Sequence, residues 1–245
     1  MAHLSVNLNK IALLRNSRHT GVPDVRHFAQ LALQAGAHGL TVHPRPDERH
    51  IRGSDVPMLA ELMRPLRPHI EFNIEGYPDA RLMDIVRANR PEQVTLVPDA
   101  PGAFTSDEGW KLDAAQAQVT GPAIATIKGL GGRAILFIDA EPDVIDRVHD
   151  SGADGVEIYT GPYAEAFRAG THQPILERIA ATASRARDAG LVVNAGHDLN
   201  LRNIPPLVVA VPFLAEASIG HELTADALES GFAATVAAYV KALQG

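Results

Sequence analysis

The stretch SGADGVEIYT, residues 151–160, contains the repeating unit of the fold. Gly152 is placed to end a helix in the left-handed conformation, which glycine adopts at no steric cost. GVEIYT then reads as a short strand rich in β-branched and apolar residues, with Glu157 inside it and Thr160 at its tip. The same phrase recurs upstream as AGAHG at 35–39, which leads into GLTVH. It recurs downstream as Ala189-Gly190, which leads into LVVNAG. A helix that ends on glycine and feeds a buried strand is the unit of a parallel sheet.

Working outward, strands are expected at 3–7 (HLSVN), 39–43 (GLTVH), 70–75 (IEFNIE), 93–97 (QVTLV), 133–139 (RAILFID), 155–160 (GVEIYT), 191–196 (LVVNAG) and 214–219 (LAEASI). They are mostly apolar rather than alternating, as buried parallel strands are. Helical period fills the gaps. Ser54 is expected to cap a helix with Val56, Leu59, Leu62, Met63 and Leu66 on one side. Residues 174–189 read as a helix, with Pro174 near its start and Gly190 past its end. Residues 224–243 read as one long amphipathic helix. Eight strands alternating with helices predict an α/β fold, a (β/α)8 TIM barrel with a parallel eight-stranded sheet. The 245 residues fit one such barrel. An open dinucleotide-binding sheet is disfavoured because no glycine-rich turn follows the first strand. The run Lys128-Gly129-Leu130-Gly131-Gly132 precedes a strand and reads as a loop or helix end. No linker divides the chain, so 1–245 is expected to form a single domain.

Composition narrows the function. Apolar residues make up 46% and charged residues 21%, which is ordinary for a globular protein. There is no cysteine, which excludes disulfides, thiol nucleophiles, iron–sulfur clusters and cysteine-bound zinc. No signal peptide is readable in MAHLSVNLNK, and no run reaches the roughly 18–20 apolar residues of a membrane span. A net charge of -7 argues against nucleic acid. The expectation is a cytoplasmic protein with no membrane or nucleic-acid partner. Small anions remain possible ligands, because they respond to local charge.

In such a barrel the active site lies at the C-terminal ends of the strands. Ionisable and polar residues fall there repeatedly. Asn7 and Asn9 end the first strand, His43 the second, Glu75 the third and Asp139 the fifth; Asp99, His197 and His221 follow the fourth, seventh and eighth. His43, Glu75 and His197 are candidate proton carriers, since imidazole titrates near neutrality and a glutamate in a dry barrel mouth is pushed toward it. Glu157 either faces a substrate or orients a neighbouring side chain. The loop His43-Pro44-Arg45-Pro46-Asp47-Glu48-Arg49-His50-Ile51-Arg52 concentrates cations in an acidic chain. Arg45 and His50 suit phosphate, unless these arginines pair with Asp47 and Glu48. Asn194-Ala195-Gly196-His197 and Ser218-Ile219-Gly220-His221 offer a second anion site, to which Arg18 can add charge. The lysines are Lys10, Lys111, Lys128 and Lys241. None ends the sixth strand, so a protein-bound imine is disfavoured. No metal-ligand spacing is present, and no metal or cofactor is expected. The loop 98–110, with Thr105 and Ser106, is the expected lid.

These runs resemble the pyridoxine 5'-phosphate synthase family. The resemblance rests on SVN at 5–7 with LRNSR at 14–18, TVHPR at 41–45 with RHI at 49–51, NIE at 73–75, LVP at 96–98, LFID at 136–139, VNAGH at 193–197 and IGH at 219–221. They occur in family order along nearly the whole chain. The resemblance implies a barrel with extra helices that assembles as a homo-octamer. The implied reaction condenses 1-deoxy-D-xylulose 5-phosphate with 3-amino-2-oxopropyl phosphate. It yields pyridoxine 5'-phosphate, phosphate and water without metal or organic cofactor. By position, His43 and Glu75 would accept protons and His197 would donate one. Asn7, Arg18, Gly220 and His221 would hold the aminoketone phosphate; Arg45, His50 and Thr105 would hold the pentulose phosphate. The chain departs from the family at Asn9-Lys10, where Asp-His is common and contacts substrate. It departs again at Asp198, where a substrate-contacting glycine is usual, and at Glu222-Leu223-Thr224, which is more polar. The competing expectations are a phosphosugar isomerase, epimerase or aldolase on the same barrel, and a barrel that only binds phosphorylated metabolites.

Overall fold

The computed structural model describes residues 1–99 and 106–245. Eight strands form a closed parallel barrel in chain order: β1 (His3–Asn7), β2 (Gly39–Val42), β3 (Glu71–Gly76), β4 (Gln93–Leu96), β5 (Arg133–Ile138), β6 (Gly155–Tyr159), β7 (Val192–Gly196) and β8 (Glu216–Ile219). β8 closes on β1, with His3 beside Glu216 and Val6 beside Ile219. The expected strands are all present, shifted by a residue or two at their ends. The helix-ending glycines have left-handed backbones, with φ of 98° at Gly36, 76° at Gly152 and 80° at Gly190. The glycine-rich run at 128–132 ends the helix Ala114–Gly129 and leads into β5.

Two helix expectations need correction. Ser54 does not cap its helix. Its backbone is already helical, at φ −76° and ψ −21°, and its hydroxyl makes no capping bond. An N-cap residue needs a non-helical backbone to turn its side chain onto the first N–H groups. Asp55, the first helical residue, instead turns its carboxylate back to accept from the Arg52 N–H in the preceding turn, at 2.8 Å. That helix stops at Met63, so Leu66 lies beyond it, half exposed. The expected long helix at 224–243 is two helices, His221–Ser230 and Phe232–Gln244, divided at Gly231 with φ 83°.

The strands also alternate more than expected. Leu4, Val6, Leu40, Val42, Phe72, Ile74, Val94 and Leu96 join one apolar core with helix residues such as Ala29, Leu59, Val86 and Ile124. The alternate positions are polar and meet inside the barrel. Gln93 on β4 donates to Glu216 on β8 at 3.0 Å and accepts from Asn194 on β7 at 3.2 Å. Ser5 and Thr41 lie 2.7 Å apart, and Asn73 links Thr41 to Thr95 at 3.3 and 3.2 Å. Bonds between strands that are not neighbours can form only across the axis. Barrels more often fill this space with branched aliphatic side chains.

One buried ion pair ties the first helix to the loop after β2. Arg15 donates to both oxygens of Asp55, at 2.6 and 2.9 Å, and to the His50 carbonyl at 3.0 Å. The Asn16 amide reaches the same carbonyl at 2.8 Å. Asp55→Asn leaves the Arg15 cation enclosed without its counter-charge and is expected to cost about 3–5 kcal/mol, measured by urea unfolding.

Candidate active site

The C-terminal ends of the strands surround a cavity of about 680 Å³. Twelve of the fourteen residues singled out from the sequence line it: Asn7, Asn9, Lys10, His43, Arg45, His50, Glu75, Glu157, His197, Asp198, Gly220 and His221. Arg18 is exposed and lies outside that lining. Thr105, and with it part of the expected lid 98–110, lies outside the described residues.

β1 and β2 are joined at their tips by two asparagines. Asn7 Oδ1 accepts from the Asn9 N–H at 3.0 Å, and Asn9 Oδ1 accepts from the His43 N–H at 2.9 Å. Asn9 therefore spends its carbonyl on the backbone that carries His43. Across the cavity, Glu75 accepts from Asn7 Nδ2 at 3.3 Å and from Ser218 Oγ at 3.4 Å. Burial, and then the Asp99 carboxylate, push the Glu75 carboxyl up to about 7. The histidines move the other way. Burial, and then the Arg45, His50 and His197 charges, hold His43 well below the usual imidazole range. Burial, followed by Arg45 and Lys10, brings His50 down to about 4. His50 Nδ1 accepts from the Ile51 N–H at 2.9 Å, so the neutral ring carries its proton on Nε2. Burial also lowers His197, against the pull of the Asp198 and Asp99 carboxylates.

His197 and Asp198 both have left-handed backbones, with φ of 78° and 57°. The Thr160 hydroxyl lies 2.5 Å from the Gly196 carbonyl and 2.6 Å from that of His197, and Asn203 Nδ2 donates to the Asp198 carbonyl at 3.0 Å. Glycine is the easy residue at such a φ, and aspartate is among the few others that tolerate it. That accounts for how the chain accommodates Asp198 where the resemblance leads one to expect glycine. The His197 ring stands against Phe137 and Tyr159, with centroids 5.5 and 5.3 Å away. Glu157 is buried beside Gly196, where a Cβ would lie 2.0 Å from Glu157 Oε1. Burial, with the Glu75 and Glu216 charges, raises Glu157 well above the carboxylate range.

The loop after β2 carries the cations, and its pairing differs from a solvated loop. Arg49 pairs with Asp47 at 2.6 Å. Arg45 reaches Asp99 after β4, and both side chains are buried. Ser106 donates to the same Asp99 at 2.8 Å. Arg49, Ser106 and Ser218, named in the sequence as parts of the cation loop, the lid and the second anion site, also line it; Leu13 and Tyr159 were missed. Strand parity would have found Tyr159, which lies two residues beyond Glu157 on the same face.

Barrel and cavity together bring buried carboxyls and imidazoles to one place beside a cationic rim, the arrangement of an enzyme of this fold. The chain belongs to the PdxJ family: the model described as "Pyridoxal phosphate biosynthesis protein PdxJ" matches residues 4–245. It is 52% identical to the pyridoxine 5'-phosphate synthase of Mesorhizobium japonicum, over 98% of either chain. It is also 52% identical to that of Albidiferax ferrireducens, over 98% of this chain and 96% of that one. Among solved structures, a tryptophan synthase from M. tuberculosis superposes with a TM-score of 0.66 at 12% identity, covering 100% of this chain and 94% of that one. That likeness concerns the fold alone.

Gly196→Ala is expected to cost about 1–3 kcal/mol by overpacking against Glu157. Adding Glu157→Ala should recover much of that loss in a double-mutant cycle read by urea unfolding. Glu75 also gives the fold a pH dependence. Its carboxyl ionises near 4.5 when exposed and near 7 when folded, so its contribution is fully present below 4.5 and lost as pH rises to about 7. Glu75→Gln should therefore raise the melting temperature relative to the parent above that window, and less below it.

Proposed function

We propose that this chain performs the ring-closing condensation of pyridoxine 5'-phosphate synthases. It joins 1-deoxy-D-xylulose 5-phosphate to 3-amino-2-oxopropyl phosphate and releases pyridoxine 5'-phosphate, phosphate and water. The full-length relatives carry that name, which leaves the isomerase, epimerase and aldolase alternatives without support. The observation that carries the residue roles is one cavity holding a carboxyl poised at about 7 beside the His43 and His197 imidazoles.

Amine attack, dehydration and aromatising ring closure each move protons near neutrality. In this reading neutral His43 and ionised Glu75 accept them, and His197 donates. Glu157 holds its proton and offers a hydrogen bond to oxygen that gains charge. Asn7, Gly220 and His221 hold the aminoketone phosphate, with Arg18 brought in from the rim. Gly220 suits this, because it leads into the helix His221–Ser230 and any Cβ there would lie 3.1 Å from that of Asn7. Arg45, His50 and Thr105 hold the pentulose phosphate. Support comes from the proton on His50 Nε2 and from Arg45, whose pairing with Asp99 orients it. Lys10 adds an ammonium to that side, and Asn9 supports His43. Two anchored phosphates keep the reactants in register, which makes the condensation effectively unimolecular.

The reading includes a homo-octamer in the cytoplasm. Exposed Leu14, Val22, Val209 and Leu228 supply apolar surface for self-association. Among the described residues no helix is long and apolar enough to cross a membrane.

Incubation with both substrates should generate the absorbance of a pyridine ring; no ring product rejects the reading. His43→Ala and Glu75→Gln should each lower kcat by about 10²–10⁴-fold while substrate still binds, measured by steady-state kinetics and calorimetry.

A further inference from the structure

Two buried carboxyls flank one buried amide inside the barrel. Asn194 on β7 lies in register with Glu157 on β6 and, on its other side, with Glu216 on β8. All three are enclosed, with exposures of 2%, 2% and 7%. The cavity described above is lined by Glu157, whereas Asn194 and Glu216 do not line it. Asn194 Nδ2 donates to Gln93 Oε1 at 3.2 Å, and Gln93 Nε2 donates to Glu216 Oε1 at 3.0 Å. That fixes the amide between the acids. Its Oδ1 is buried and receives no hydrogen bond among the described residues. A buried acceptor needs a donor, and a carboxyl is a donor only while it keeps its proton.

The surroundings leave few other sources. Arg133 on β5 sends Nη2 to Glu71 and Gln93, at 2.5 and 3.2 Å, and keeps a buried Nε with no partner among the described residues. β1 places His3 in register with Glu216, but that ring is exposed and stacks on His38, with centroids 4.4 Å apart. β2 contributes Gly39 and Thr41, which carry no charge. β3 contributes the acids Glu71 and Glu75, which face Glu216 from either end.

We propose that Glu216 and Asn194 are positioning residues that hold the Glu157 carboxyl in its protonated, hydrogen-bond-donating form. Ionised Glu216 opposes a second negative charge across Asn194, and before substrate binds Asn194 Oδ1 accepts the hydrogen bond of the retained proton, which then turns to the substrate oxygen. The inference rests on the acid–base reading of the cavity, in which Glu157 works as a donor. Burial raises both acids. Glu216 reaches about 8, and its charge is among the causes that raise Glu157 further.

The test is the pH profile of kcat in Glu216→Gln, which keeps the acceptor for Gln93 but cannot ionise. The alkaline limb should move to lower pH by about one unit, while the acid limb set by Glu75 stays in place. A folded variant with an unmoved alkaline limb overturns the proposal. A second measurement needs no Glu216 variant. In the parent chain, at a pH about one unit above the Glu216 value of about 8, the infrared carbonyl stretch of a protonated carboxyl should persist and should vanish in Glu157→Gln. Absence of that band in the parent also overturns the proposal. Glu75→Gln separates the two levels of argument. Full turnover in that variant removes the acid–base reading itself, whereas an inactive Glu75 variant with an unmoved Glu216 limb removes only this inference.

Discussion

Polar side chains enclosed by a closed sheet can send their hydrogen bonds only to one another. That constraint governs the inside of this barrel. Gln93 shows how it is met: its amide serves Glu216 on one side and Asn194 and Arg133 on the other. Ser5, Thr41, Asn73 and Thr95 form a second set at the side chains' own level. In so dry a space a carboxyl is costly as an anion, which is why Glu75, Glu157 and Glu216 all hold protons more tightly than free glutamate. The apolar work of folding is done on the other face of the same strands, against the helices.

The same scarcity of water sets the character of the cavity. His43 and His50 are held low because they are buried among cations, and the central glutamate is poised because it is buried near another acid. The Arg45–Asp99 pair joins loops that follow β2 and β4 and so braces the rim across β3. Behind it, Arg15 and Asn16 hold the carbonyl of His50, so the residue that turns its Nε2 proton outward is braced from its backbone.

Much of this was legible in the sequence. Strand order, glycine helix ends and polar strand tips each have a local cause, and twelve of the residues they singled out do converge on one cavity. What escaped depends on partners far away in the chain. The polarity of the barrel interior was hidden because each strand, read alone, is dominated by its helix-facing residues. Ser54 has the composition of a cap and the wrong backbone angle. The break at Gly231 was overrun by an apolar pattern that continues in the next helix. The Arg45–Asp99 pair spans 54 positions, and sequence neighbours Asp47 and Glu48 were the nearer guess.

Barrel closure has a consequence for how the protein is made. β1 finds one of its two partners in β8, and the Ala2 N–H bonds to the Leu243 carbonyl at 3.3 Å. The first strand to leave the ribosome must therefore wait for the last. At about 5–20 residues per second that wait is on the order of ten seconds or more, during which a nascent sheet keeps an open edge. Shielding by chaperones matters most in that interval, and a slower ribosome lengthens the exposure.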